Sequence, residues 1–512
     1  MNRYYVTTPI YYVNDTPHLG HLYTTVAADV LARHMRMCGR DTFFLTGVDE
    51  HGLKVQQAAE ARGVAPIALA DEVVARYRDL WPRFAISNDD FIRTSSERHK
   101  AAVAAMWRRL AERGALYKGM YEDWYCVPCE TYWTETQLME HGDDGRCPDC
   151  NRPVERVREE SWFFRLSDYQ QRLLDHYDSH PDFIAPEVRR NEVRSFVAGG
   201  LNDLSVSRTT FDWGVPVPDD AGHVVYVWID ALTNYLSALG FPDEQSERMR
   251  FWPASVHLIG KDILRFHAVY WPAMLMAAEL PLPERIFAHG WWTVDGEKMS
   301  KSKGNALAPE KMLDRADADV LRYFLLREVP FGQDGDFSFA ALTRRYNSEL
   351  ANDLGNMLNR SLSMLHKYRG GVMPEVRREE EADRAWIADI EGMQREVDEL
   401  MVRQAFHLAL ERIHQVVRHG NRYVEENAPW TLARSGDDAR LDCVLYHLIE
   451  GLRLVVLQLS PFMPGKCAEM MRQIMGDGAP LPPMTLAEQG GWGLLSPGHT
   501  CARPRPVFPR ME

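Results

Sequence analysis

The first fifty residues restrict the fold more than any other stretch of the chain. YYVTTPIYYV is rich in β-branched and aromatic residues and reads as a buried strand. Thr16 follows as the expected N-cap of a helix, with Pro17 at its first position. The helix continues through LYTTVAADVLARHMRM and stops at Gly39. DTFFLTGVDEHG reads as the next strand, ending at Asp49 and Glu50. Strand, helix and strand at this spacing form a βαβ unit, which calls for a parallel sheet in an α/β fold.

At 512 residues the chain exceeds one core, and roughly two to four domains are expected. The strand pattern breaks near residue 116, where YKGMYEDWYCVPCETYWTETQLMEHGDDGRCPDC is aromatic, turn-rich and cysteine-bearing. Apolar, strand-like runs return in HVVYVWIDAL, SVHLIGKDIL and RIFAHGWWTV, read as the second half of the same sheet. From Ala341 onward the pattern is helical, with Leu342, Tyr346, Leu350, Leu354, Leu358, Leu362 and Leu365 forming one apolar stripe. Further helices are expected at 384–427 and 438–461, and a loose Pro/Gly-rich tail after Gly476. The expected divisions are 1–115 and 223–290 for two halves of a sheet domain, 116–222 for an inserted module, 291–340 for a linking region, 341–475 for a helical domain and 476–512 for a tail.

Charge and hydropathy narrow the function classes. Fifty-nine basic against 73 acidic residues leave a net charge of −14, so an RNA partner would be met by local basic patches and shape, not by bulk attraction. No apolar run reaches the roughly 18 residues of a membrane span, and the N-terminus carries no signal or transit pattern. The reading is a cytoplasmic protein without a membrane partner, whose eight cysteines are reduced.

Three constellations carry chemistry. In TPHLGH, His18 and His21 lie three apart around Gly20 at the mouth of the first helix. Backbone amides and the helix dipole favour an anion there, at the strand end where doubly wound sheets bind ligands. Two exposed histidines beside a turn is the plain alternative. In DGEKMSKSKGN, Lys298, Lys301 and Lys303 with two serines lie between glycines, which suits a polyphosphate clamp. Cys126-x₂-Cys129 and Cys147-x₂-Cys150 stand seventeen residues apart. Four thiolates at that spacing form a closed, structural Zn²⁺ site. Cys38, Cys443, Cys467 and Cys501 lack partners at ligand spacing and read as packing or surface residues.

HLGH and KMSKS resemble the two signatures of class I aminoacyl-tRNA synthetases. TTPIYYVND, GVDEHG, YVWIDALTNY, GKDILRFHAVYWPAML and HGWWTVDGEKMSKSKGN resemble the methionyl-tRNA synthetase family in particular, and NDLGNMLNR and NAPW extend the likeness into the helical half. The resemblance implies a Rossmann-like doubly wound parallel sheet with an inserted zinc-knuckle module, followed by an all-α anticodon-binding bundle. It implies activation of L-methionine by ATP, carried with Mg²⁺, to methionyl-adenylate and pyrophosphate, then transfer to the 3′ end of tRNA(Met), the initiator included. His18, Gly20, His21 and Asp262 would hold ATP, with Lys301 as the main phosphate clamp and Lys298 assisting. Ile10, Tyr12, Asp49, Trp228, Ala231, Leu232, Tyr235, His267 and Trp271 match the methionine-pocket positions. Leu232 departs from the proline of some members. Asn356, Arg360 and Trp430 match anticodon positions, with Asn352 left open. Three rival readings remain at this point: a synthetase for an aliphatic amino acid, a small-molecule nucleotidyltransferase, and an inactive zinc-bearing RNA-binding protein. The absence of an added tRNA-binding barrel leads to the expectation of a monomer.

Overall fold

The structure, a computed structural model, describes residues 2–13, 16–127, 131–133, 138, 145–148, 150–294, 296–298 and 307–511. The expected βαβ unit is present: β1 (Arg3–Tyr12), α1 (Leu19–Met37) and β2 (Asp41–Asp49). β1 and β2 run parallel, pairing Tyr4 with Thr42 and Tyr12 with Asp49. The register breaks between Thr7 and Ile10, where Pro9 has no N–H for the ladder. β3 (Asp90–Arg93) joins the outer side of β2.

A second sheet intervenes. β4 (Leu116–Cys126), β5 (Thr131–Trp133) and β6 (Glu155–Phe164) pair antiparallel. The chain then returns to the first sheet for β7 (Ile184–Ala185) before adding β8 (Leu204–Ser205) to the second. The stretch expected as a pure insertion therefore supplies one edge of the parallel sheet. β9 (Val256–Gly260) and β10 (Ile286–His289) complete six parallel strands in the order β3-β2-β1-β9-β10-β7. Strand order reverses between β1 and β9, which opens a crevice at the carboxyl ends of these two strands.

Two expectations for this half are corrected. HVVYVWIDAL is not a sheet strand: Val224–Val225 is a two-residue strand, and α2 (Val227–Leu232) follows at once. A continuous apolar run has the same periodicity in a buried helix as in a buried strand, and here the helix wins. In RIFAHGWWTV, β10 belongs to the central sheet, but Trp292–Val294 pairs in a separate three-stranded sheet.

α3 (Trp271–Ala277) and α4 (Ala318–Arg327) lead into the helical half. There every residue of the apolar stripe from Leu342 to Leu365 is buried. The backbone widens to a π-helix over Tyr346–Gly355 before α5 (Asn356–Arg369) resumes α geometry. α6 (Glu381–Val402), α7 (Phe406–Asn427), α8 (Asp438–Leu459) and α9 (Pro464–Met475) build the bundle. One apolar core runs from α1 through these helices. The tail is not loose. Buried Glu450 accepts hydrogen bonds from the amides of Gly493, Leu494 and Leu495 at 2.8–3.3 Å. Asn347 exchanges two bonds with the backbone of Met511 at 2.8 and 2.9 Å.

Candidate active site

The crevice between β1 and β9 gathers the predicted residues. α1 begins two residues later than the sequence suggests, and its N-cap is His18, not Thr16. The imidazole Nδ1 accepts the Gly20 N–H at 3.1 Å, doing what a serine or aspartate usually does. A side chain on Gly20 would meet the His18 ring at 3.0 Å, so the glycine allows the ring to fold over the helix end. The His18 and His21 rings stack with centroids 3.7 Å apart. His21 packs on Tyr11 of β1 at 4.5 Å, and its Nδ1 meets the Tyr77 hydroxyl at 2.9 Å. Burial and the neighbouring His18 push the His21 pKa well below its ordinary value. Two stacked imidazoles, His21 held neutral, thus crown a helix N-terminus.

Ile10 and Tyr12 close β1, with Asp49 paired to Tyr12 at the end of β2. Ile10, Tyr12, Trp228, Leu232, Tyr235 and Trp271 belong to one apolar cluster. Ala231 is buried on α2 between them in sequence. Trp228 stacks flat on Phe266 at 3.6 Å. Within the cluster, His267 Nδ1–H donates to the Ile263 carbonyl at 3.0 Å, so Nε2 accepts from the Tyr235 hydroxyl at 2.7 Å. Burial lowers the His267 pKa to about 4. Tyr235 and His267 are thus a fixed, neutral phenol–imidazole pair within an aromatic cluster, surroundings that suit a soft thioether. Asp262 is exposed just past β9 and accepts from Trp291 Nε1 at 3.1 Å.

Sequence reasoning missed the polar frame behind these groups. Asp230, fully buried on α2, accepts from His51 Nδ1 at 2.6 Å and from His99 Nε2 at 2.7 Å. Burial would raise its pKa, but the two imidazoles hold it down to about 2. His51 lies two residues beyond Asp49, so this frame fixes the end of β2. His289 Nε2 bonds Thr24 Oγ1 at 2.6 Å, tying β10 to the first turns of α1. GVDEHG holds His51 and YVWIDAL holds Asp230, but no local pattern signals their pairing. Of the predicted clamp, Lys298 lies on a two-residue strand, Glu297–Lys298, and its side chain is outside the described residues, as is the whole of Lys301.

Three of the four predicted zinc-ligand cysteines converge. Sγ atoms of Cys126, Cys147 and Cys150 lie within 4.8 Å of one another, and Cys126 and Cys150 are 3.5 Å apart. A tetrahedral zinc with bonds of about 2.3 Å sets sulfurs about 3.8 Å apart. Cys147 N–H bonds the Arg152 carbonyl at 2.8 Å and Asn151 adopts φ 57°, a tight turn about the second pair. Cys129 lies outside the described residues. In the helical half, Asn356 is exposed on α5, and Arg360 sits over the half-buried Trp430 ring at 6.0 Å while pairing with Glu425 at 2.6 Å. Asn352 falls in the π segment, so its step to Asn356 is not an ordinary helical one.

The sequence profile of the family described as tRNA synthetases class I (M) matches residues 4–362, and that of the anticodon binding domain of methionyl tRNA ligase matches 373–512. The methionine–tRNA ligase of Caldanaerobacter subterraneus is 50% identical over 99% of this chain and 79% of its own length. That of Thermotoga maritima is 45% identical over 100% and 80%. Methionyl-tRNA synthetase of Mycobacterium tuberculosis in complex with methionyl-adenylate superposes with a TM-score of 0.94 at 46% identity, covering all of both chains. Its free form superposes at 0.88, with 42% identity over 100% of this chain and 99% of that one. The chain belongs to the methionyl-tRNA synthetases of class I.

Proposed function

We propose that the crevice between β1 and β9 is the adenylation site of this methionine–tRNA ligase, with the stacked histidines on the phosphate side and the Tyr235–His267 pair under the methionine side chain. The enzyme activates methionine with ATP, and the methionine branch is matched along the whole chain, so the aliphatic-synthetase, nucleotidyltransferase and inactive-binder readings fall away. The methionine carboxylate attacks the α-phosphate of ATP and pyrophosphate leaves. A ribose hydroxyl at the tRNA 3′ end then displaces the adenylate. Such transfers are driven by positioning and charge stabilisation more than by a strong base.

The observation that carries the assignment of roles is the His18–His21 stack on the α1 N-terminus, with His21 held neutral. With Tyr77 O–H donating to His21 Nδ1, the proton resides on Nε2, which then donates to a phosphate oxygen. The positive charge comes from Lys298 and Lys301, and Mg²⁺ arrives with ATP. Asp262 receives a ribose hydroxyl, and Asp49 receives the methionine ammonium at the end of β2. Asn356, Arg360 and Trp430 take anticodon bases, with Trp430 as the stacking platform. The tRNA set includes the initiator. Zn²⁺ on Cys126, Cys129, Cys147 and Cys150 supplies folding energy to a module whose own core is small. The division at 116–222, 223–290, 291–340, 341–475 and 476–512 remains our reading of the functional units, as do a monomeric state and a cytoplasmic location. Among the described residues no helix is long and apolar enough to cross a membrane.

The test is amino-acid-dependent ATP–pyrophosphate exchange across the twenty amino acids without tRNA. Exchange with methionine, lost in His18→Ala and His21→Ala, is the expected result. Exchange retained in both variants removes the histidines from the phosphate site.

A further inference from the structure

A cluster at the seam between the two halves is used by neither the adenylation site nor the knuckle. His34 lies in the last turn of α1, and Cys38 caps that helix four residues later. Asp398 reaches them from α6 of the helical bundle. His34 Nε2 and Asp398 Oδ1 are 3.0 Å apart, and Cys38 Sγ stands 3.5 Å from each. A tetrahedral zinc with N and O bonds of about 2.0 Å and an S bond of about 2.3 Å spaces its ligands about 3.3 Å (N to O) and 3.5 Å (S to N or O). The three atoms already form one face of that tetrahedron. The Asp398 side chain is 45% exposed, so solvent reaches the fourth corner, while His34 is buried at 1%.

The other three-residue cluster of this kind in the bundle shows what a closed arrangement looks like. Asp383, Cys443 and His447 also converge. There Arg440 forks onto both carboxylate oxygens, and His447 Nδ1–H donates to the Cys443 carbonyl at 2.7 Å. Those ligands are taken. At the seam, among the described residues, no guanidinium bonds Asp398, whose carboxylate meets only His34 and Cys38.

We propose that His34, Cys38 and Asp398 form a second metal site, taking a borderline-soft divalent cation of the zinc class with water at the fourth position, and that the ion pins α6 to α1 across the domain seam. Thiolate, imidazole and carboxylate together suit zinc or cobalt and exclude the hard, all-oxygen cations. Binding expels the Cys38 thiol proton to solvent. His34 Nδ1 is buried with no partner, so the ring lacks the outer hydrogen bond that usually strengthens a ligating histidine. That absence weakens a site by about 10- to 100-fold, and the ion here is therefore exchangeable where the knuckle's is not.

The test uses the full chain with its knuckle zinc in place, titrated with Co²⁺. The expected result is one equivalent bound with a thiolate-to-cobalt absorption band, absent in Cys38→Ala and in Asp398→Asn, and a rise in melting temperature on adding Zn²⁺ to the native chain that neither variant shows. No band in the native chain, or an equal band in Cys38→Ala, overturns the site. Elemental analysis at saturating Zn²⁺ separates the two metals. Two equivalents in the native chain and one in either Cys38→Ala or Cys147→Ala support both. One equivalent that survives Cys38→Ala and disappears in Cys147→Ala leaves the knuckle standing and removes the seam site. One that behaves the opposite way does the reverse.

Discussion

The two halves of the molecule treat buried polar groups differently. Around the parallel sheet many of them are histidines: His51, His99, His257, His267 and His289 are each at most 5% exposed. Several are held neutral by burial, and some keep an unsatisfied atom, as His257 Nε2 and Trp271 Nε1 do. In the helical bundle the buried ions are saturated by one another, alongside neutral groups such as His414. Asp383 is forked by Arg440 and bonded by the Tyr423 hydroxyl and the Glu380 amide. Glu450 is paired with Arg453 and caps the tail amides. Incomplete neutral groups suit a site that ligands enter. Complete ionic ones suit a scaffold that must hold a recognition surface still.

The comparison can be broken at its strongest point first. Asp383→Ala leaves the buried Arg440 charge without its partner and should cost about 3–5 kcal/mol of stability. Urea unfolding followed by far-UV signal reads that loss, while methionine-dependent exchange in the folded protein stays near native. Burial works against the Asp383 charge, but the Arg440 and Tyr423 bonds win and hold its pKa near 2. Stability from this carboxylate is therefore present above its unfolded pKa near 3.8 and fades only as pH falls toward 2. An exchange rate that collapses along with stability would show the bundle to be part of the catalytic machinery.

The mirror experiment is His21→Ala. One preorganised donor removed from a developing phosphate charge costs about 10²–10³ in kcat. Exchange should fall by that factor with the urea midpoint nearly unchanged, since Tyr77 loses one hydrogen bond. If the variant instead unfolds early, His21 is a packing residue and the contrast between the halves fails.

A pH series sharpens the picture because both halves hold a histidine shifted to about 4. Burial lowers His267 in the methionine pocket and His414 beside Tyr323 each to about 4. Between pH 6.5 and 4 the unfolded chain binds a proton at each that the folded chain refuses. Stability should therefore fall as pH drops through that window, by roughly 3 kcal/mol per histidine. His414→Gln should flatten the slope and spare methionine binding, whereas His267→Gln should flatten it and raise KM for methionine. A slope unchanged in both variants would assign the acid sensitivity elsewhere.

What the sequence disclosed was whatever a local pattern encodes. The βαβ unit, the histidine pair, the cysteine spacing and the leucine stripe are each written within a few dozen residues. What it concealed depends on chain returning from far away. His51 and His99 reach Asp230 across 179 and 131 residues. The tail is held by Glu450, more than forty residues upstream of the amides it caps. His18 replaces Thr16 as the cap because an imidazole can accept the Gly20 amide, a role that propensity gives to smaller side chains. Cys38 looked unpartnered because its third neighbour, Asp398, comes from the other half.

The smallest expected effect concerns the recognition surface. Trp430 opens the helix Pro429–Ser435, entered through a left-handed Ala428 at φ 41°, and this turn sets the indole beside Arg360. Half of the ring is already packed, so a stacking base adds one face, worth about 1–3 kcal/mol. Trp430→Ala should lower kcat/KM for tRNA charging by roughly 5- to 150-fold and leave exchange unchanged. Trp430→Phe should recover most of that loss, because a smaller ring still stacks. Arg360→Ala should cost less, since its charge is shared with the exposed Glu425 and exposed pairs contribute about 1 kcal/mol at most. Equal losses in exchange and charging for Trp430→Ala would make the indole a strut between α5 and α7, and the bundle's ionic scaffold would then support something other than anticodon reading.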